Sequence, residues 1–337
     1  MMNSSVDPAK LTGIKQVMDD VLIRHRSFKT ALARLDECMQ SFTGYGEPVC
    51  MLLHGPAGVG KSTVAKAFLA ENNPYDADDR RVIPVLNAVI PVPATMKNMA
   101  TELLDKLGDP LSDRGTLEQR TKRLRKLLSE CRTKLIILDE FQHFIDRKSD
   151  RVILDVSDWL KNLISNTSIP VVLVGLPYSL SVLSANEQLM RRFSYQTELS
   201  PFDWEDKADR SEFTKILNAI DGKLASVLGG NSNLKDQNVR CHAATKGLIS
   251  LLIKLIYGAA YEATKAGGTS ITQQHLAQAF RARLVPDRKV PNPFLDSWKG
   301  QKIDPLPESR HLHIEGCIAS LQPVSRSMKL NDTLSAR

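Results

Sequence analysis

Glycines at 55, 58 and 60, followed by Lys61 and the Ser62 hydroxyl, form a spacing with a definite chemical use. The run Gly55-Pro56-Ala57-Gly58-Val59-Gly60-Lys61-Ser62-Thr63 fits G-x-x-x-x-G-K-[ST] at every defined position. Glycines let the backbone turn its N–H groups inward, where they can hold phosphate oxygens. A helix starting just behind the loop adds partial positive charge. Lys61 is spaced to reach β/γ-phosphates and Ser62 to ligate Mg²⁺, so the stretch predicts ATP with Mg²⁺ as its ligand. A second chemical signature is Leu135-Ile136-Ile137-Leu138-Asp139-Glu140. Its four apolar residues read as a buried parallel strand, with the acidic pair at the C-terminal end, where open α/β sheets bind ligands. Asp139 is placed to hold the metal ion and Glu140 to orient and polarise an attacking water.

Such groups need a scaffold, and the flanking sequence supplies one. Val49 to Leu53 reads as a strand before the glycine loop, and Val64 to Leu69 as a helix after it. Asn72 to Arg80 reads as a polar loop. A strand from Val82 to Leu86, continuing through Ile90, carries Pro84, which predicts an edge position. Periodicity gives helices over 94–107 and 116–131, the second with Arg120, Lys122, Arg123, Arg125 and Lys126 on its outer face. A charge run of this kind is either a solvated face or a polyanion contact. Phe141 to Asp150 reads as a loop, followed by a helix over 151–165. A buried strand spans Ile169 to Gly175, and Arg191-Arg192 precedes the last strand, Tyr195 to Leu199. Strands alternating with helices predict a doubly wound parallel sheet. Beyond Pro201 only helices are expected, the clearest from Gly247 to Thr264, then a capped one starting near Thr272. Six prolines and scattered charge from Pro286 onward predict a disordered tail. The resulting domain plan is a helical segment over 1–45, a nucleotide-binding α/β domain over 46–203, a helical lid over 204–285 and a flexible, partner-binding tail over 286–337.

Composition excludes several classes. No run of eighteen apolar residues occurs, so no membrane span or membrane partner is predicted. The N-terminus lacks an apolar signal region, and the five cysteines stand singly without a C-x-x-C pair. Both point to reduced thiols and a cytoplasmic, bacterial setting. His311, His313 and Cys317 could be imagined as a metal cluster but lie in the tail. A net charge of +7 suits a polyanionic partner beyond the nucleotide, or is simply a basic surface.

The phosphate loop, Asp139-Glu140, the arginine pair and an all-helical lid together resemble an AAA+ ATPase. Within that class the chain resembles the TniB/TnsC family, the ATP-dependent target regulators of bacterial transposons. The resemblance covers roughly residues 20–300. It rests on Gly55 to Ser62, Leu107-Gly108-Asp109-Pro110, Asp139-Glu140-Phe141-Gln142-His143, Gly175-Leu176-Pro177-Tyr178-Ser179, Arg192-Phe193 and Asn292-Pro293-Phe294. The 175–179 run is similar to TnsC proteins of RNA-guided, CRISPR-associated transposons. The fold it implies is a P-loop AAA+ three-layer sandwich with a parallel sheet, a C-terminal helical lid and a disordered tail. The function it implies is an ATP-hydrolysing protein that forms a homo-oligomeric ring or filament on duplex DNA. That protein would link a TniQ-type target selector to the transposase.

Carried over by position, Lys61 and Ser62 fall on the Walker A motif, Asp139 and Glu140 on Walker B, and Arg192 on the arginine finger. Thr95, Lys97 and Asn98 are the first candidates for DNA backbone contact, and Arg120 and Arg123 the second. Two departures predict slow hydrolysis. Leu176 stands where a polar sensor is usual, and Gly247-Leu248-Ile249-Ser250 lacks the lid arginine. A helicase loader or replication initiator of the same superfamily, and a P-loop metabolic kinase, are the alternatives. Arg191-Arg192 and the lid count against the kinase, and the lack of an appended helix-turn-helix counts against an initiator.

Overall fold

The computed structural model describes residues 7–19, 24–44, 46–77, 80–145, 150–184 and 186–303. The chain divides into two compact units, 1–305 and 306–337, and every described residue belongs to the first. His311, His313 and Cys317 lie outside the described residues.

Two helices, α1 (Pro8–Asp19) and α2 (Arg26–Gln40), precede the glycine loop. Next come β1 (Met51–His54) and α3 (Lys61–Glu71), the strand–loop–helix unit the motif requires. The polar stretch that follows is more ordered than expected. It forms a two-stranded antiparallel hairpin of β2 (Tyr75–Ala77) and β3 (Arg80–Val82). Strand β4 (Val85–Val89) leads to α4 (Met96–Lys106) and α5 (Leu117–Glu130). Thr95 caps α4 by accepting the Asn98 N–H, and Thr116 forms a capping box with Gln119 at the start of α5.

After β5 (Leu135–Asp139), Phe141–Phe144 forms a tight 3₁₀ turn where a plain loop was expected. The domain is completed by α6 (Asp150–Thr167), β6 (Val171–Gly175), the short helices α7 (Leu180–Ser184) and α8 (Glu187–Arg192), and β7 (Tyr195–Glu198). Five strands make one parallel sheet in the order β4-β5-β6-β1-β7. Every position of β5 and β6 is buried, because helices cover both faces of the sheet. Of the two edge strands, β4 and β7, the first is the one expected at an edge. Pro84 itself lies just before the strand, and its carbonyl accepts the Lys134 N–H at 2.8 Å.

The lid comprises α9 (Lys207–Leu228), α10 (Asn238–Thr245), α11 (Ile249–Lys265) and α12 (Gln273–Ala279). It has its own hydrophobic core, to which α1 contributes Ile14 and Met18. In contrast, α2 packs on α3 and β1, so the N-terminal segment is shared between the two halves. At their junction, the Phe202 N–H donates to the Gly247 carbonyl at 3.1 Å, and a His242 ring nitrogen bonds the Phe202 carbonyl at 2.8 Å.

The tail departs from expectation over residues 286–303. Phe294 is 2% exposed and Ile303 is buried beside it in the lid core. Gln273 donates to the Phe294 carbonyl, Arg240 bonds the Pro293 and Leu295 carbonyls, and Asn292 reaches the Ala277 carbonyl. Burying one such aromatic contributes about 1.5–3 kcal/mol, and the hydrogen bonds add to it in holding a segment whose composition reads as disordered.

Candidate functional site

The phosphate loop emerges from β1 and closes at the first turn of α3. Its cradle is tight at Gly58, whose φ is +86° and where a Cβ would fall 2.1 Å from Ser250 Oγ. Only glycine fits that position. The same residue joins the loop to the lid, because the Ser250 N–H donates to the Gly58 carbonyl at 3.1 Å. Ser250 opens α11 where a lid arginine was sought, so a small hydroxyl rather than a cation meets the loop.

Lys61 turns its ammonium toward the Gly55 and Pro56 carbonyls, at 2.8 and 2.9 Å. Burial lowers its pKa, while Glu140 and Asp139 across the cleft oppose that shift. A phosphate entering the cradle competes with the two carbonyls for this charge. Ser62 and Asp139 supply oxygen donors, the set that a hard divalent cation such as Mg²⁺ takes. Asp139 is buried at the end of β5, and its Oδ1 accepts the Glu140 N–H at 2.8 Å. The cleft between loop, lid and N-terminal segment has a volume of about 560 Å³. That is within the usual range for small-molecule sites. Its phosphate side is lined by residues 57–63, Glu140, Gln142 and Leu176, and its apolar side by Met18, Phe28, Ile249 and Ile253. His25 also lines it, and burial lowers its pKa from the ordinary value while Glu212 and Asp209 oppose that shift.

The other end of the cleft is built from β5 and β6. Glu140 adopts a left-handed backbone (φ 57°) as the chain turns out of β5. Gln142, buried in the 3₁₀ turn, donates from Nε2 to Glu140 Oε2. Leu176, at the end of β6, presents no polar side chain, but its N–H donates to Gln142 Oε1 at 3.3 Å.

A model of the family described as "Bacterial TniB protein" matches residues 13–203, more than half the chain. The chain belongs to the TniB family. The match runs from α1 through the α/β domain and stops before the lid. No curated protein matches the chain. Among solved structures, the chain is similar to Cdc6p from Pyrobaculum aerophilum, at 17% identity and TM-score 0.57, over 79% of this chain and 70% of that one. It is also similar to the Aeropyrum pernix ORC2 protein, solved as ADPNP-ADP complexes, at 15% identity and TM-score 0.55, over 80% and 72%. A third is the Aeropyrum pernix ORC1 protein in complex with DNA, at 19% identity and TM-score 0.54, over 82% and 69%. At these identities the likeness is one of fold, and the fold is that of AAA+ proteins. No helix of the described residues is long and apolar enough to cross a membrane.

Other residues singled out in this TniB chain are placed less uniformly. Arg192 ends α8 beside the edge strand β7, but its side chain is 14% exposed and folds back to Glu47 at 3.3 Å. Its neighbour Arg191 is exposed. Lys97 is exposed on the first turn of α4, whereas Thr95 and Asn98 are engaged locally. Thr95 caps the helix, and Asn98 donates to the Pro93 carbonyl at 3.0 Å.

Arg120 and Arg123 of α5 have a structural job that the charge run concealed. Arg120 is 7% exposed and bonds Thr101 Oγ1 and the Asp113 and Gly115 carbonyls. Arg123 pairs with Asp109 at 2.9 Å and bonds the Leu111 and Arg114 carbonyls. Both hold the 108–116 loop. Sequence reasoning missed Ser250 and the role of Gln142. The DEFQH run contains Gln142, but only the 3₁₀ turn shows that it faces back to Glu140.

Proposed function

We propose that this TniB-family chain is an ATP-hydrolysing regulator of DNA transposition that oligomerises on duplex DNA. It links a TniQ-type target selector to the transposase, and slow hydrolysis resets the assembly. The observation that supports this most is the cleft itself, in a chain of the TniB family. Lys61 faces the Walker B pair Asp139-Glu140 across a glycine cradle that is closed by a lid residue, Ser250.

The chemistry follows from the residues. Lys61 binds the β/γ-phosphates, and Ser62 and Asp139 would hold Mg²⁺, which supplies charge neutralisation on the phosphates. Glu140 orients the attacking water and takes up its proton as the bond to the γ-phosphorus forms and ADP leaves. An arginine from the neighbouring subunit stabilises charge on the transferred group. The Arg191-Arg192 pair at the sheet edge supplies it. Arg191 is already exposed, and Arg192 can act only after leaving Glu47. Lys97 tracks the DNA backbone without reading bases.

The initiator-like folds above are equally compatible with a helicase loader, so partner rather than fold separates the two readings. Electron microscopy with an ATP analogue and duplex DNA, alongside ATPase assays, tests the proposal. Rings or filaments around DNA, with hydrolysis rising with both DNA and protein concentration, are expected. A monomer whose turnover ignores DNA would point instead to a self-contained kinase-like enzyme.

A further inference from the structure

Gln142 lines the cleft yet has no part in the mechanism so far. Its amide has two partners of opposite kind, and they fix its orientation. A carboxylate oxygen of Glu140 needs a donor, so it faces Nε2, and the Leu176 N–H needs an acceptor, so it faces Oε1. The clasp is closely fitted. A Cβ on Gly175 would approach Gln142 Oε1 to 3.1 Å and Ser179 Oγ to 2.4 Å, so the glycine at the end of β6 leaves room for it. Glu140 is held at its backbone as well, in a left-handed conformation with its N–H on Asp139. One carboxylate oxygen is therefore engaged by Gln142, which leaves the other for water.

We propose that Gln142 is the positioning residue of the water-orienting carboxylate, and that it ties Glu140 to the end of β6 in place of the polar side chain that Leu176 lacks. The inference rests on the ATPase reading above. Gln142 acts through Glu140 rather than on the nucleotide. Any shift of the 175–179 segment is transmitted to the carboxylate through a single amide. A carboxylate free to rotate would lose the aligned approach that hydrolysis requires, and misplacement by about 1 Å costs on the order of 10²-fold in rate.

The experiment measures DNA-stimulated ATP turnover and the affinity for a fluorescent ATP analogue. It uses the full chain and the variants Gln142→Ala, Gln142→Glu, Glu140→Gln and the double variant Glu140→Gln/Gln142→Ala. Gln142→Ala is expected to lower kcat by about 10–100-fold with nucleotide affinity within about twofold of the parent. Gln142→Glu keeps the shape but sets a second carboxylate against Glu140, so it should be at least as slow as Gln142→Ala, with its folding checked by melting temperature. The double variant should be no slower than Glu140→Gln alone, because a residue that works only through Glu140 has nothing left to position. A Gln142→Ala protein as fast as the parent overturns the clasp. So does one that loses affinity as much as rate, or a double variant whose losses simply multiply. A parent without any ATP turnover would overturn the functional reading itself, and the clasp with it.

Discussion

At one end of the cleft the phosphate cradle, Lys61 and Ser62 come from nine consecutive residues, 55–63, in one strand–loop–helix unit. At the other end, Glu140 and Gln142 follow β5 while Leu176 follows β6, and a side-chain amide joins them. The first end is held largely by main chain, whose geometry glycine spacing dictates. The second depends on which side chains two neighbouring strands bring together. Ground-state binding should therefore fail with the first end and turnover with the second. Substitutions can break this division.

The largest effects should come from Lys61→Ala and Glu140→Gln. Removing Lys61 takes away the ammonium that meets the phosphates, so nucleotide binding should be lost in a direct titration. Glu140→Gln should keep binding and reduce turnover to a small measurable residue, and its DNA complexes should outlive those of the parent in dissociation assays. Loss of binding in the Glu140 variant would erase the distinction between the two ends.

The trans arginine comes next, worth roughly 10³–10⁵ in rate for fingers generally. Arg191→Ala and Arg192→Ala are each mixed with Lys61→Ala. The finger variant alone should bind nucleotide and hardly hydrolyse, and mixing should restore some turnover. Lysine should replace the finger poorly, because an ammonium lacks the planar fork. Given its exposure, Arg191 should carry the larger effect. If Arg192 carries it, the Glu47 pair is a latch released on assembly, and Glu47→Gln should raise turnover at low protein concentration.

Lys97→Ala should reduce the salt slope of DNA binding by about one, with no change in sequence preference. Arg123→Ala should leave that slope alone and lower the melting temperature instead, because its guanidinium serves the 108–116 loop.

The smallest effect concerns acid. Burial lowers the pKa of His25, His54, His242 and His275 below the ordinary value of 6.5. The unfolded chain therefore takes up protons first, and stability that is complete above about pH 6.5 drains away as pH falls through that value. Melting temperature should drop between pH 7.5 and 5.5, and His242→Gln should flatten the drop.

The sequence made the parallel sheet, the phosphate loop and the acidic pair legible because each is written in local residue types. Four apolar residues ending in Asp139-Glu140 can hardly be read otherwise once a glycine loop precedes them. The loop contacts of Arg120 and Arg123 were not legible because a helical charge run looks the same whether it faces solvent or a loop. Only the turn at Gly108 and the carbonyls of Leu111, Asp113 and Gly115 reveal them. The 286–303 segment misled for a related reason. Its prolines and charges look disordered in isolation, yet Phe294 finds a ready pocket in the lid. Gln142 could not be ranked above its neighbours until the 3₁₀ turn set its direction.

The contact between Arg26 and Glu212 has a mechanical side. Both carboxylate oxygens of Glu212 accept the Arg26 N–H at 3.1 Å, which pins the near end of α9 beside the cleft wall formed by His25 and Phe28. From Glu212 to Leu228 the helix runs on for about 24 Å at 1.5 Å per residue. A rotation of about ten degrees at the pinned end would swing the far end by roughly 4 Å, by that same length. On the ATPase reading proposed above, a change in cleft width too small to disturb the sheet would be magnified at the far end of α9, and the lid would work as a lever.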